Sequence, residues 1–125
     1  MKRYVISDTH FNHSRILGYC QRPFDNVEQM NEVIINNWNK VINEDDIVYV
    51  LGDIAEDDYV KAIEIFKGLK GHKHLIVGNH DLKMLDRIKE SNAFESIEFM
   101  KLIDDSGKKV CLCHYPLMDW MEFSR

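Results

Sequence analysis

The sequence predicts an α/β fold built on parallel strands, and three observations support this class. Apolar runs without charged residues occur at residues 47–51 and 74–77, as is typical of strands that are covered on both faces. The stretches between these runs carry apolar residues at helical spacing. In addition, the strand patterns are followed directly by residues that can ligate a metal. The carboxyl edge of such a sheet is where binding sites are built.

Size and composition indicate one globular domain over residues 1–125. The chain has 125 residues, of which 45% are hydrophobic and 30% charged, with only 2 prolines. The net charge of −5 opposes non-specific binding to nucleic acid or anionic membranes, so nucleic acid is expected only as a substrate. No apolar run approaches a membrane span, and the N-terminal residues enter a strand pattern directly. Together with 3 cysteines, an odd number, these features predict a cytoplasmic protein.

Strands and helices alternate along the predicted order of elements. We expect strands at residues 3–7, 47–51, 74–77, 94–103 and 108–113, with a hairpin turn at 104–107. We expect helices at residues 27–42, 55–68 and 82–91, the first of them capped by Asp25 or Asn26. His72 and His74 enter the third strand at the end opposite the ligand-type residues, which favours surface or packing roles for both.

Ligand-type residues follow four of the predicted strands. These strand ends carry Asp8 and His10, then Gly52 and Asp53, then Gly78 through Asp81, and finally His114. An Asp-x-His pair alone is a weak signal, because a turn carboxylate beside a surface histidine is the commoner case. Carboxylates, an amide and imidazoles at successive strand ends point instead to a metal site at one edge of the sheet. Cys111 and Cys113 are interpreted as packing residues of the last strand.

These motifs, in this order and at these strand ends, resemble the calcineurin-like metallophosphoesterase superfamily. The resemblance spans residues 1 to about 117, and Arg22-Pro23-Phe24 makes it closest to the small phosphoesterases of phage and bacteria. It implies an α/β sandwich of mixed sheets flanked by helices. It also implies a dinuclear site for two divalent metals, with manganese favoured over iron or zinc, and a small phosphate ester as substrate.

The resemblance also implies a role for each residue of the motifs. Asp8 and His10 would bind one metal, and Asp53 would bridge the two. Asn79 and His114 would bind the second metal. His80 would be catalytic rather than a ligand, because it matches the histidine that stabilises or protonates the leaving oxygen.

The sequence departs from the family pattern in two places. Glu56 is followed by Asp57 where protein phosphatases have a phosphate-clamping arginine, so a Ser/Thr protein phosphatase is not expected. Arg22 is the candidate replacement for substrate binding, although a loop arginine paired with an acid is an equal alternative. The Gly-His-x-His motif at the end of the family pattern is absent, so we expect a C-terminally truncated member of the fold.

Two functions therefore remain open from the sequence. The first is a phosphoesterase that hydrolyses a phosphomonoester or phosphodiester through a dimetal-activated water. The second is a binding or assembly module that retains the fold but is catalytically weak or inactive, with an incomplete metal site. His13 or a neighbouring subunit could complete the site in the first case. The strand at 108–113 would lie near a sheet edge, which a second subunit could cover in a homodimer. The alternative is that Trp120, Met121 and Phe123 cover this edge within the chain.

Overall fold

The computed structural model describes residues 1–7, 9, 11, 25–55 and 59–115. Within these residues strands and helices alternate as far as residue 98, and two further strands follow. The elements are β1 (Arg3–Ile6), α1 (Val27–Val41), β2 (Ile47–Val50), α2 (Tyr59–Gly68), β3 (His72–Ile76), a 3-10 helix (Asn79–Met84), α3 (Leu85–Ser91), β4 (Ser96–Glu98), β5 (Met100–Asp105) and β6 (Lys108–Cys113).

The strands form two sheets. The first is parallel, with the order β1-β2-β3-β4, and the second is the antiparallel hairpin β5-β6. The helices pack with Val48, Val50 and Leu75 into the main core. The hairpin packs on the other face of the parallel sheet, where Leu112 meets Tyr49 and Ile76. The predicted α/β class with mixed sheets and flanking helices is therefore confirmed.

The helix α1 shows how local sequence fixes an element. Asn26 is its N-cap, and its side chain accepts a hydrogen bond from the backbone N–H of Gln29 at 2.8 Å. Met30 and Trp38 are buried on its inner face, two turns apart. The indole Nε1 of Trp38 donates to the carbonyl of Lys70 at 2.9 Å, which ties the helix to the chain entering β3. Among the described residues, no helix combines the length and apolar character needed to cross a bilayer.

The structure corrects the prediction of one strand over residues 94–103. That stretch forms two strands in different sheets, since β4 pairs with β3 and β5 pairs with β6. The two strands meet at Phe99, which is 55% exposed. The predicted hairpin turn is also shorter, because Asp104 and Asp105 belong to β5. Ser106 and Gly107 make the turn with φ of 53° and 85°, the two positive values of a type I′ turn.

Several other boundaries differ from the prediction. The helix expected at 55–68 is observed over Tyr59–Gly68, and Ala55 instead forms a β-bridge with Phe11. The strands expected at 3–7, 47–51 and 74–77 each end one residue earlier. The helix expected at 82–91 begins as the 3-10 helix at Asn79 and becomes α-helical at Leu85. The strand β3 begins at His72 instead of His74, so both histidines lie within it. His72 contacts Glu95 at 2.6 Å and His74 contacts Ser96 Oγ at 2.7 Å, at the end of β3 opposite the ligand-type residues. These contacts agree with surface and packing roles.

Candidate active site

The loops that follow β2 and β3 approach each other very closely. Gly52 and Asp53 both have positive φ, of 81° and 50°, so the chain turns sharply after β2. A Cβ at Gly52 would lie 2.5 Å from the backbone nitrogen of Gly78, a distance that no side chain could keep. The close approach therefore requires glycine at residue 52, and it places Asp53 next to the residues that follow Gly78.

Asp53 is the centre of the contacts at this edge. Its Oδ1 accepts a hydrogen bond from the backbone N–H of His80 at 3.0 Å. Its Oδ2 lies 3.0 Å from His80 Nδ1 and 3.3 Å from His114 Nε2. The side chain of Asp53 is 8% exposed and that of His80 is 31% exposed. The carboxylate is therefore held from two sides, while the imidazole of His80 remains accessible to a substrate.

His114 reaches this site from the second sheet. Its Nδ1 donates to the carbonyl oxygen of Leu51 at 2.7 Å, because a carbonyl can only accept. In a neutral ring this leaves the lone pair on Nε2, which lies 2.9 Å from Asn79 Oδ1. Nε2 thus faces the oxygens of Asn79 and Asp53 together. A cation among these atoms would stabilise such an arrangement.

Two buried side chains, Asp81 and Tyr59, connect the loop after β2 with the loop after β3 through hydrogen bonds. Asp81 is fully buried, and its carboxylate accepts from the backbone N–H groups of Gly78 at 2.8 Å, Asp53 at 2.9 Å and Ile54 at 3.1 Å. Burial raises the pKa of Asp81, and these hydrogen bonds oppose the rise. The hydroxyl of Tyr59 lies within hydrogen-bonding distance of the carbonyl oxygens of Ala55 and His80.

The donors present at this edge fit a divalent cation in their chemistry. Carboxylate and amide oxygens with an imidazole nitrogen form the mixed set that manganese, iron and zinc accept. Two donors that each lie about 2.1 Å from one ion are themselves roughly 3.0 to 3.4 Å apart. The separations of His114 Nε2 from Asn79 Oδ1 and Asp53 Oδ2, 2.9 and 3.3 Å, are close to that range. Taken alone, the described residues contain no group of three His, Cys, Asp or Glu side chains arranged to hold a metal.

The structure brings together four of the residues singled out by sequence: Asp53, Asn79, His80 and His114. Asp8, His10 and Arg22 lie outside the described residues, as does the alternative ligand His13. Their described neighbours Thr9 and Phe11 both bond to the carbonyl of Ile54, through a hydroxyl at 3.0 Å and a backbone N–H at 2.7 Å. Thr9 and Phe11 therefore lie beside the loop that carries Asp53.

Asp81 is the residue to which the sequence assigned no role. It appears in the motif after β3, but a carboxylate at a strand end can equally be a ligand, a surface group or a backbone acceptor. The sequence signal for such a role is its position: Asp81 follows Gly78 by three residues and is the third residue of the next helical turn. A carboxylate there often accepts from the N-terminal backbone N–H groups of a helix.

Comparisons with known proteins agree with this geometry. The chain is 44% identical over 117 residues to the uncharacterized protein MJ1445 of Methanocaldococcus jannaschii, an alignment that covers 92% of this chain and 59% of that protein. It is 33% identical over 81 residues to the gene 66 protein of Mycobacterium phage L5, which covers 62% of this chain and 39% of that one. The chain thus spans about three fifths, or less, of these relatives.

A solved structure and a family model extend the comparison. The crystal structure of AQ665, a protein of unknown function from Aquifex aeolicus, matches with a TM-score of 0.78 and 35% identity, covering 99% of this chain and 67% of that one. The model of the calcineurin-like phosphoesterases matches residues 1–123. Because that match extends over nearly the whole chain, the protein belongs to the calcineurin-like phosphoesterase family.

Proposed function

We propose that the protein is a metal-dependent phosphoesterase that hydrolyses a small phosphomonoester or phosphodiester. The observation that supports this most is the convergence of Asp53, Asn79, His80 and His114 within hydrogen-bonding distance at the carboxyl edge of the sheet. Membership of the calcineurin-like phosphoesterases supports the same reaction class. Hydrolysis of a phosphate ester needs a nucleophile, stabilisation of negative charge and a proton for the leaving oxygen.

The residues proposed to hold divalent cations are the convergent donors Asp53, Asn79 and His114, together with two residues of the first motif that lie outside the described residues. Asp53 would be shared between two ions, and Asn79 Oδ1 and His114 Nε2 would bind one of them. Asp8 and His10 would bind the other. When bound, the two ions supply a water activated near neutral pH and positive charge on the phosphate oxygens. Manganese is the favoured metal in this proposal, with iron and zinc as alternatives of similar ligand preference.

Protein groups prepare this site before any substrate arrives. The Leu51 carbonyl fixes His114 in the tautomer whose Nε2 can bind a cation, and it also holds the ring in place. The contact of Asp53 Oδ2 with His80 Nδ1 at 3.0 Å orients the second imidazole. His80 can then donate a proton to the leaving oxygen through Nε2. It is also the more exposed of the two imidazoles, at 31% against 12%.

The experiment that tests the proposal separates the roles of His80 and Asp53. Purified protein with added manganese would be assayed on an aryl phosphate and an aryl phosphodiester, with metal content measured in parallel. His80→Ala should lower turnover by about 100- to 10,000-fold, typical of a lost general acid, and leave metal content nearly intact. Asp53→Ala should empty at least one metal site. His72→Ala, at the opposite end of β3, is the matched histidine control.

Two outcomes would contradict the proposal. Equal metal loss in His80→Ala and Asp53→Ala would show that His80 is a ligand and that the division of roles is wrong. Metal binding without turnover of either substrate would favour the alternative, a binding or assembly module that retains the fold. The His72→Ala variant should match the wild type in both measurements, because its ring contacts Glu95 away from the site.

A further inference from the structure

We propose that Asp81 is a positioning residue for the metal site. Its carboxylate holds the loop after β2 against the loop after β3, and this contact sets where Asp53 presents its own carboxylate. The inference rests on the proposed function, since it concerns the placement of the donors of that site. Asp81 itself contacts backbone N–H groups and is assigned no contact with substrate or metal.

The hydrogen bonds of Asp81 join the two loops at a single atom. Oδ2 accepts from both Asp53 N–H and Gly78 N–H, at 2.9 and 2.8 Å, so each loop is placed relative to the same oxygen. Oδ1 accepts from Ile54 N–H at 3.1 Å, which fixes the residue after Asp53 as well. The hydrogen bonds from the N–H groups of Asp53 and Ile54 fix the orientation of the backbone at Asp53. Because the backbone is fixed, the side chain of Asp53 points to His80 and His114.

The conformation of Asp53 explains why such support is needed. Its φ of 50° lies in the left-handed region, which residues other than glycine adopt infrequently. This conformation persists where the surroundings hold the backbone from several sides. Asp81 supplies hydrogen bonds to Asp53 and Ile54, and the close approach of Gly52 to Gly78 restricts the same turn.

A carboxylate suits this position better than an amide or an apolar group. Three N–H donors point at two oxygens, and an ionised carboxylate has acceptors only. An asparagine would turn its amide N–H groups toward at least one backbone N–H. A buried carboxylate is costly unless hydrogen bonds compensate it, and three backbone N–H groups do so here. Because these donors come from both loops, the same bonds that compensate the charge also place Asp53 beside the residues that follow Gly78.

Asp46 offers a matched control at the other end of the sheet. It is also buried, at 3% exposure, and its carboxylate accepts from the backbone N–H groups of Lys2 and Asn43, both at 2.8 Å. It lies just before β2, whereas Asp53 lies just after that strand. Asp46→Asn therefore removes the same kind of interaction from the same sheet without touching the site.

The test compares Asp81→Asn and Asp46→Asn with the wild type. Manganese affinity would be measured by electron paramagnetic resonance, and the ring resonances of His114 would be recorded by NMR in metal-free protein. Asp81→Asn should weaken manganese binding by about tenfold or more, the range seen when a group that orients a ligand is lost. It should also shift the His114 ring resonances, because Asp53 Oδ2 lies 3.3 Å from that ring. Asp46→Asn should change neither.

The outcomes separate this inference from the proposed function. If the wild type binds no manganese, the proposed function fails, while the His114 resonances still decide whether Asp81 positions Asp53. Unchanged resonances in Asp81→Asn, or equal changes in both variants, would overturn the inference. If Asp81→Asn does not fold, Asp81→Glu replaces it, because this variant keeps the charge and moves the oxygens by one methylene. Wild-type affinity and resonances in a folded Asp81→Glu would overturn the inference as well.

Discussion

At the residue scale, Asp53 fits into the site because Gly78 has no side chain. A Cβ there would lie 2.6 Å from Asp53 Oδ1 and 2.7 Å from the Asp53 nitrogen, and 3.0 Å from His114 Nδ1. Gly78 has an extended backbone with φ of −100°, so its conformation alone does not require glycine. Glycine is required at residue 78 because Asp53 and His114 occupy the space that the methyl group of an alanine would fill.

We predict that Gly78→Ala displaces Asp53 and His114 and damages the site. The overpacking should lower the free energy of unfolding by about 1–3 kcal/mol, measured by urea denaturation, and it should weaken manganese binding. Gly68→Ala is the matched control, because a Cβ at Gly68 meets nothing within 4 Å. That control, at the end of α2, should leave metal binding unchanged. Wild-type stability and affinity in Gly78→Ala would contradict the packing described here.

Much of the site could be predicted from the sequence, and the reason is the parallel sheet. Once consecutive strands are parallel, residues that follow them must share an edge, so Asp53, Asn79 and His80 could be placed together. His114 was expected at the same edge of one sheet, but it follows a strand of the second sheet and reaches Asp53 and Asn79 from there. The role of Asp81 could not be predicted, because its three partners are backbone N–H groups whose positions depend on how two loops pack.

At the scale of elements, the division of residues 94–103 into β4 and β5 shows what sequence patterns leave undetermined. The stretch has no proline or glycine to mark a break, so a single strand was the natural prediction. In the structure β4 extends the parallel sheet beside β3, and after Phe99 the chain leaves that sheet and pairs with β6. Tertiary pairing, which local propensity does not encode, decides the break.

Lys73 links β3 to the end of α2. It is 7% exposed, and its ammonium group donates to the carbonyl oxygens of Phe66 and, at 2.5 Å, of Leu69. These carbonyls belong to the last turn of α2 and the residue just beyond it, where intrahelical donors are missing. Burial lowers the pKa of Lys73 from its usual value, and the carboxylates of Glu44 and Glu95 oppose that change.

We predict that Lys73→Met lowers the free energy of unfolding by about 1–3 kcal/mol, because two buried carbonyls lose their donor. The loss should grow as the pH rises through the lowered pKa toward 10.5, the unfolded value. In that pH window Lys73 is protonated in the unfolded wild type but has released its proton in the folded wild type. The free energy of unfolding of the wild type therefore increases with pH. Denaturation at several pH values tests this, with exposed Lys70 changed to Met as control. A difference that shrinks with pH would contradict it.

On the scale of the whole molecule, the hairpin covers one face of the parallel sheet and exposes its own outer face. One end of that outer face is apolar, with Met100 and Leu102 51% and 38% exposed, and the other end carries the ion pair of Asp104 with Lys109. Cys113 and Cys111 lie directly opposite these two residues in the register of β5 and β6. Self-association through this surface stays a prediction, which sedimentation at micromolar concentration tests by the presence or absence of a dimer.

The two sheets meet at the edge where the proposed metal site lies, because His114 follows β6 and contacts Leu51 just after β2. The most direct measurement is a crystal structure of the protein grown with manganese, in which anomalous scattering locates the metal. We predict an anomalous peak within about 2.5 Å of an Asp53 carboxylate oxygen, Asn79 Oδ1 and His114 Nε2, with His80 outside ligand distance. Absence of manganese from these three donors, or direct binding of the metal by His80, would contradict this prediction.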